Sequence, residues 1–270
     1  MKFLYLCIFS LSLFSCSNLN KVLKSKDPQY KLRMAEQYYA KKQYTQAQLV
    51  YEDVIPYFKG SQEFEDIYYK YAFTAYHQRD YLNAENLFKT FMEVFPNSSR
   101  AEEIQYMRAY TYYKQSPKPE LDQTNSLKAI GLMQTFINTN PGSARIKEAS
   151  DIIDELRGKL EKKDFQAAQL YFDMGQFRAA AVAYNSLINS YPDSKLSDEY
   201  KFMAIKAYFR FAELSIEEKK TERFEKVVDE SFEFLDMFPE SSYTKQVELY
   251  LNQSQTNIKN ITNEPSATST

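Results

Sequence analysis

Four near-identical phrases punctuate the chain: Phe95-Pro96-Asn97-Ser98, Asn140-Pro141-Gly142-Ser143, Tyr191-Pro192-Asp193-Ser194 and Phe238-Pro239-Glu240-Ser241. Their prolines stand 45, 51 and 47 residues apart. Each phrase closes one stretch of helical periodicity and precedes another. Proline cannot continue a helix, and a serine just after it favours the start of the next. Punctuation at such a period is the signature of stacked helical repeats. A chain of this kind presents extended surfaces to other molecules, so the pattern leans toward binding rather than catalysis.

The segments between the phrases carry the same internal pattern. In 28–58, Met34, Ala35 and Tyr38 share one helical face, and Ala47, Tyr51 and Val54 share the next. This pattern is similar to the tetratricopeptide repeat, where small residues let two helices cross closely and an aromatic fills the gap beside them. A second unit has Ala72, Ala84, Phe88 and Phe91 in register, and a third has Ala109, Ala129, Met133 and Phe136. In the third, residues 116–123 read as an insertion between the two helices. A fourth unit carries Ala168, Tyr171, Gly175, Ala180, Tyr184 and Leu187. The fifth is looser, opening on Ala204 or Ala207 and continuing through Val227, Ser231 and Phe234. A helix over 243–257 is expected to cap the stack. Ser99 with Glu102 has the form of a capping box, and Ser197 is a second candidate start. The expected fold class is all-α, a tetratricopeptide-like solenoid of about five helix-turn-helix repeats. Repeats 1–3 span 28–150, repeats 4–5 with the cap span 151–257, and a polar, disordered tail spans 258–270.

The N-terminus has a different character. Lys2 is the one charge ahead of an apolar run from Phe3 to Phe14, too short for the roughly 20 residues of a transmembrane helix but suited to an export signal. The run ends in Leu13-Phe14-Ser15-Cys16, which resembles a bacterial lipobox with Phe14 bulkier than usual. The expected signal peptide is 1–15, with Cys16 lipidated and 16–27 a polar tether. The other cysteine, Cys7, lies inside the signal, so a chain starting at Cys16 has no partner for a disulfide. Neither an aspartate after Cys16 nor an acidic run follows it, and the resemblance implies an outer-membrane anchor facing the periplasm.

Catalytic patterns are missing from the sequence. His77 is the single histidine, no phosphate-binding loop or H-E-x-x-H pattern occurs, and there are five glycines. No catalytic or metal-ligating residue is expected, and no cofactor beyond covalent diacylglyceryl and N-acyl groups on Cys16. A formal net charge of −2 leaves no footprint for nucleic acid. The aromatics stand out instead: 23 Tyr and 20 Phe, without Trp. If the first helix of each repeat lines a groove, Tyr39, Tyr69, Phe73, Tyr76, Tyr106, Tyr110 and Tyr113 form a ladder able to hold an extended peptide. Packing between repeats is the competing use of the same rings.

With lipobox, repeats, the inserted third unit at Asp122-Gln123-Thr124 and the pair of signatures Glu222-Arg223-Phe224 and Phe238-Pro239-Glu240-Ser241-Ser242-Tyr243, the chain resembles the BamD family of outer-membrane protein assembly factors. The resemblance covers roughly 13–257. It implies a non-enzymatic lipoprotein of the β-barrel assembly machine. Its C-terminal repeats would dock on the periplasmic POTRA domains of a BamA-like barrel protein, and its N-terminal repeats would receive unfolded barrel proteins. Arg178 and Arg223 are candidate docking residues. A periplasmic coordinator of division or peptidoglycan synthesis would share export and repeats but normally lacks the lipobox and insertion. A SusD-like glycan-binding lipoprotein would be about twice as long, and a repeat-bearing transglycosylase needs a further catalytic domain.

Overall fold

A computed structural model describes residues 18–263, and every regular element among them is helical. A helical segment over 18–23 is followed by α1 (Pro28–Ala40), α2 (Tyr44–Phe58), α3 (Phe64–His77), α4 (Tyr81–Val94), α5 (Ala101–Lys114), α6 (Thr124–Thr139), α7 (Ile146–Asp173), α8 (Phe177–Ser190), α9 (Ser197–Glu213), α10 (Glu217–Met237) and α11 (Thr244–Asn263). Successive helices pack on one another from α1 through α6, and again from α8 through α11. The expectations for the lipidated Cys16 and the signal at 1–15 lie outside the described residues.

The four phrases fold alike. The residue before each proline is driven out of helical geometry by the ring that follows. Phe95, Asn140, Tyr191 and Phe238 take φ of −125, −127, −130 and −132°. In each, the serine amide donates to the carbonyl of the residue before proline, at 3.1, 3.0, 3.0 and 3.1 Å, closing a turn. The serine hydroxyl oxygen then accepts the amide two residues on, from Arg100, Arg145, Leu196 and Tyr243, at 3.0 to 3.1 Å. This corrects the capping expectation. Ser98 rather than Ser99 serves the start of α5, because the serine inside the turn is already positioned over the exposed amides; α9 does open at Ser197, with Asp198 and Glu199 in its first turn, and Ser194 holds the amide of Leu196 just ahead of it.

A second turn recurs inside the repeats. Lys42, Arg79 and Gly175 adopt φ of 57, 63 and 73° in the links α1–α2, α3–α4 and α7–α8. The following amide reaches back to Tyr38, Ala75 or Tyr171, closing a Schellman-type end. Only the third of these positions has the glycine this conformation favours.

Two compact units divide after Arg157, whereas the sequence suggested a boundary after residue 150. The division falls within α7, whose sequence has no proline or turn to mark it. In the first unit, Ala35, Ala47, Ala72, Ala84, Ala109 and Ala129 are fully buried where paired helices cross, beside Tyr51, Phe88, Phe91, Met133 and Phe136. Ala149, Ile152, Ile153 and Leu156 from the first half of α7 join this core. In the second unit, Ala168, Ala180, Ala181, Tyr184, Tyr200 and Ala204 form one cluster, and Ile205, Phe224, Val227, Phe234 and Val247 another. Tyr171, expected to fill the fourth repeat, is 46% exposed.

Both ends depart from the sequence reading. The 16–27 tether contains the helical segment 18–23, with Val22 buried and Leu19 and Leu23 packed on the first helix pair. At the other end α11 continues to Asn263, because Ile258 and Ile261 still find the second-unit core. Residues 258–263 are thus helix rather than tail, and the rest of the expected tail, 264–270, lies outside the described residues.

The insertion is an ordered loop built on a buried side chain. Gln123 is 5% exposed, and its amide nitrogen donates to the carbonyls of Lys118 (2.7 Å) and Leu121 (3.1 Å). Its amide oxygen accepts from Ser126 at 2.7 Å, and Ser126 meets Ser116 at 2.8 Å. One glutamine satisfies carbonyls that a loop of this length would otherwise leave to water.

Candidate functional site

In the first unit, α1, α3 and α5 are the first helices of successive pairs, and their aromatic residues form a continuous row. Tyr39 lies 6.3 Å from His77, ring centre to ring centre. His77 is 5.6 Å from Tyr76, Tyr76 is 6.5 Å from Tyr110, and Tyr110 is 5.4 Å from Tyr113. Tyr44 at the start of α2 stacks on His77 at 4.3 Å. Ring pairs at these separations attract through their quadrupoles as well as by area, which holds the row in one arrangement.

The row divides by exposure. Tyr39, Tyr69, Tyr76, Tyr110 and Tyr113 are half-buried. Phe73 and Tyr106 are corrections to the ladder: they are 8% and 1% exposed and pack in the core. Phe73 lies edge-on to Phe88 at 5.1 Å, and Tyr106 is edge-on to Phe136 at 5.5 Å beneath the Arg145 guanidinium. Those two rings fill the space between paired helices, the competing use of aromatics at this spacing.

Two of the half-buried tyrosines are also tied down. Tyr69 donates to Glu103 at 2.9 Å under the guanidinium of Arg100, 4.3 Å from the ring. Burial and then the Glu103 bond push its hydroxyl well above the ordinary phenol range. Tyr113 donates to Glu155 at 2.7 Å, which with burial raises it to about 12. Both phenols are neutral donors at neutral pH. No hydrogen bond to the hydroxyls of Tyr39, Tyr76 or Tyr110 is made among the described residues, so these three combine a part-exposed ring with an available donor and acceptor.

His77, the single histidine, completes the row. Partial burial, and then the nearby Lys42 ammonium, lower its pKa below the usual histidine value. Its imidazole is therefore neutral above that value and stacks as an uncharged ring. Tyr44 was missed because it opens the second helix of its pair, outside the first-helix pattern.

The second unit presents charge instead. Arg178 and Arg223 line one cavity of about 620 Å³ with Val182, Tyr208, Phe211 and Lys226. Arg178 is exposed on α8. The Arg223 guanidinium lies 4.0 Å over the Phe211 ring and donates to Ser215. Lys226 bonds Glu230 at 2.7 Å, and Glu230 also accepts from the buried Lys201 at 2.7 Å. Burial alone would raise Glu230; the two lysine hydrogen bonds outweigh it and leave the carboxyl below the ordinary range. The sequence reading named the two arginines but missed Lys226 and Tyr208, whose place on the cavity depends on how α9 and α10 pack.

Among the described residues, no group of histidine, cysteine and carboxylate side chains is arranged to hold a metal ion. None of their helices is long and apolar enough to cross a membrane. Residues 25–226 match the family model of YfiO, described as outer membrane lipoprotein. The chain belongs to the YfiO family. A YfiO-family protein is thus an outer-membrane lipoprotein built here from tetratricopeptide-like helix pairs. Among solved structures, the TPR2AB domain of yeast Sti1 in its pHSP90 complex is similar at 13% identity and a TM-score of 0.40, covering 84% of this chain and 98% of that one. No curated protein matches.

Proposed function

We propose that the protein is a non-enzymatic, lipid-anchored subunit of the outer-membrane β-barrel assembly machine, facing the periplasm. The observation that carries this reading is the family match across 25–226. Lipid on Cys16 supplies the anchor. The half-buried row of Tyr39, Tyr69, Tyr76, Tyr110 and Tyr113 receives the aromatic-ended segments of unfolded barrel proteins, with Tyr76 and Tyr110 at its centre. Rings accept apolar and aromatic side chains, and hydroxyls meet the peptide backbone. The cavity holding Arg178 and Arg223 docks the POTRA region of a BamA-like barrel protein.

Affinity purification from detergent-solubilised envelopes, with co-purifying proteins identified by mass spectrometry, tests the reading. A stoichiometric barrel protein with several POTRA domains is expected. Recovery of division proteins or peptidoglycan synthases without it would overturn the assembly role. For the groove, Tyr76→Ala and Tyr110→Ala are each expected to weaken binding of a barrel C-terminal peptide with helicity intact; unchanged affinity in both would remove the row from substrate binding.

A further inference from the structure

The start of the described chain is basic, folded and close in sequence to the anchor. Val22 is 1% exposed, and Leu19 and Leu23 pack with it on the core of α1 and α2, so the 18–23 segment is fixed to the first helix pair. Asn18 follows Cys16 by two residues, a span of roughly 7 Å at most. Lys21, Lys24 and Lys26 are exposed, and no ion pair to any of them is formed among the described residues. Asn20, Lys21, Lys24, Ser25 and Tyr30 line a cavity of about 550 Å³ that has no carboxylate in its wall. The neighbouring acid, Asp27, is committed to the start of α1, accepting the Gln29 amide at 2.9 Å.

We infer that this cavity docks on the phosphate of anionic phospholipid headgroups, in the leaflet that holds the Cys16 lipid. The inference rests on the lipid-anchor reading. Two facts select a membrane surface as the occupant: the short reach from Cys16, and a cavity offering two ammonium groups with amide and hydroxyl donors but no acid. Lysines beside a membrane are attracted by its negative surface potential, and Tyr30 has the amphipathic ring suited to the interface. The first helix pair therefore lies against the headgroups instead of hanging from a tether. Its orientation is set by residues 18–30 together with the acyl chains.

The test uses the lipidated protein, reconstituted at equal density in vesicles of phosphatidylcholine alone and of phosphatidylethanolamine with phosphatidylglycerol at about seven to three. Backbone hydrogen exchange over 18–30 is expected to slow in the anionic vesicles and to return to the neutral-vesicle rate with added salt. A second measurement uses the chain beginning at Ser17, which retains every described residue but no lipid. It should co-sediment with anionic vesicles and not with neutral ones. Lys21→Gln, Lys24→Gln and Lys26→Gln combined should lower that partition by roughly ten-fold or more, with the circular dichroism unchanged. Equal exchange in the two vesicles, or a triple variant that partitions like the parent, would overturn the docking. The mass of the mature N-terminus separates the two readings: an unlipidated Cys16 removes the anchor and the geometry built on it, whatever the partner purification returns.

Discussion

The two units arrange their aromatic residues in different ways. In the first, rings touch from repeat to repeat, from Tyr39 through His77 and Tyr76 to Tyr113. In the second, rings gather in separate groups, such as Phe165 with Tyr184 and Tyr200, and Phe202 with Tyr243. Its own distinctive feature is the buried Lys201–Glu230 pair beneath a charged cavity. A repeated surface suits an extended ligand that reads successive positions. A single cavity with an internal ion pair suits one folded partner. One repeat pattern is compatible with both kinds of surface, because it fixes the buried alanines and leaves the other faces free.

The largest effect that would break this contrast is at Glu230. Glu230→Ala strips a buried lysine of one partner and should cost about 3 kcal/mol. Hydrogen exchange should show the loss in α9 and α10, with α1–α6 unchanged; a uniform loss would mean the units do not respond separately. The same carboxyl gives the sign of the pH response. Its folded pKa is depressed, so its contribution is present above the ordinary glutamate value and is lost as pH falls through the folded value. Acid unfolding of the Glu230→Gln variant should therefore be shallower than that of the parent.

Next in size is Gln123. Gln123→Ala leaves loop carbonyls without their donor and should cost about 2 kcal/mol, read by chemical denaturation and by faster exchange over 116–126. A crossed pair of affinities sharpens the functional contrast. Arg178→Glu should weaken POTRA binding about ten-fold, near 1.4 kcal/mol, and leave barrel-peptide affinity as it was. Tyr110→Ala should do the reverse. Titration calorimetry of both ligands against both variants would show whether the two surfaces act independently.

Smaller effects test the turns and the row. Arg79→Gly relieves a left-handed backbone and should stabilise the first unit by about 1 kcal/mol in thermal unfolding. His77, as the single histidine, gives one imidazole signal in a proton NMR titration. Its midpoint should fall below the ordinary histidine value of 6.5. A midpoint above it would put a charge in the row and undo the stacking account.

How much of this was legible follows from the range of each interaction. The buried alanines, the proline phrases and the helix pairs are local, and Ala35, Ala72 and Phe88 declare them in sequence. Whether a ring at the same helical face is exposed depends on the neighbouring helix, which is why Tyr106 and Tyr110, four residues apart, separate into core and surface. The cavity around Arg178 draws residues from three helices, and spacing alone gives no sign of Lys226 or Tyr208. Val22 was concealed by its polar surroundings: one apolar face in a lysine-rich stretch reads as a tether until its partners are known.

The four proline turns also bear on how the chain acquires its structure. Each closes through bonds between residues at most four apart, and each fixes the direction in which the next helix leaves. Ordering any one of them requires little loop-closure entropy and no distant partner. Such a chain has low contact order, and folding can begin at whichever turn forms first and spread to its neighbours. Speed of assembly is thereby written into a proline and a serine, repeated four times.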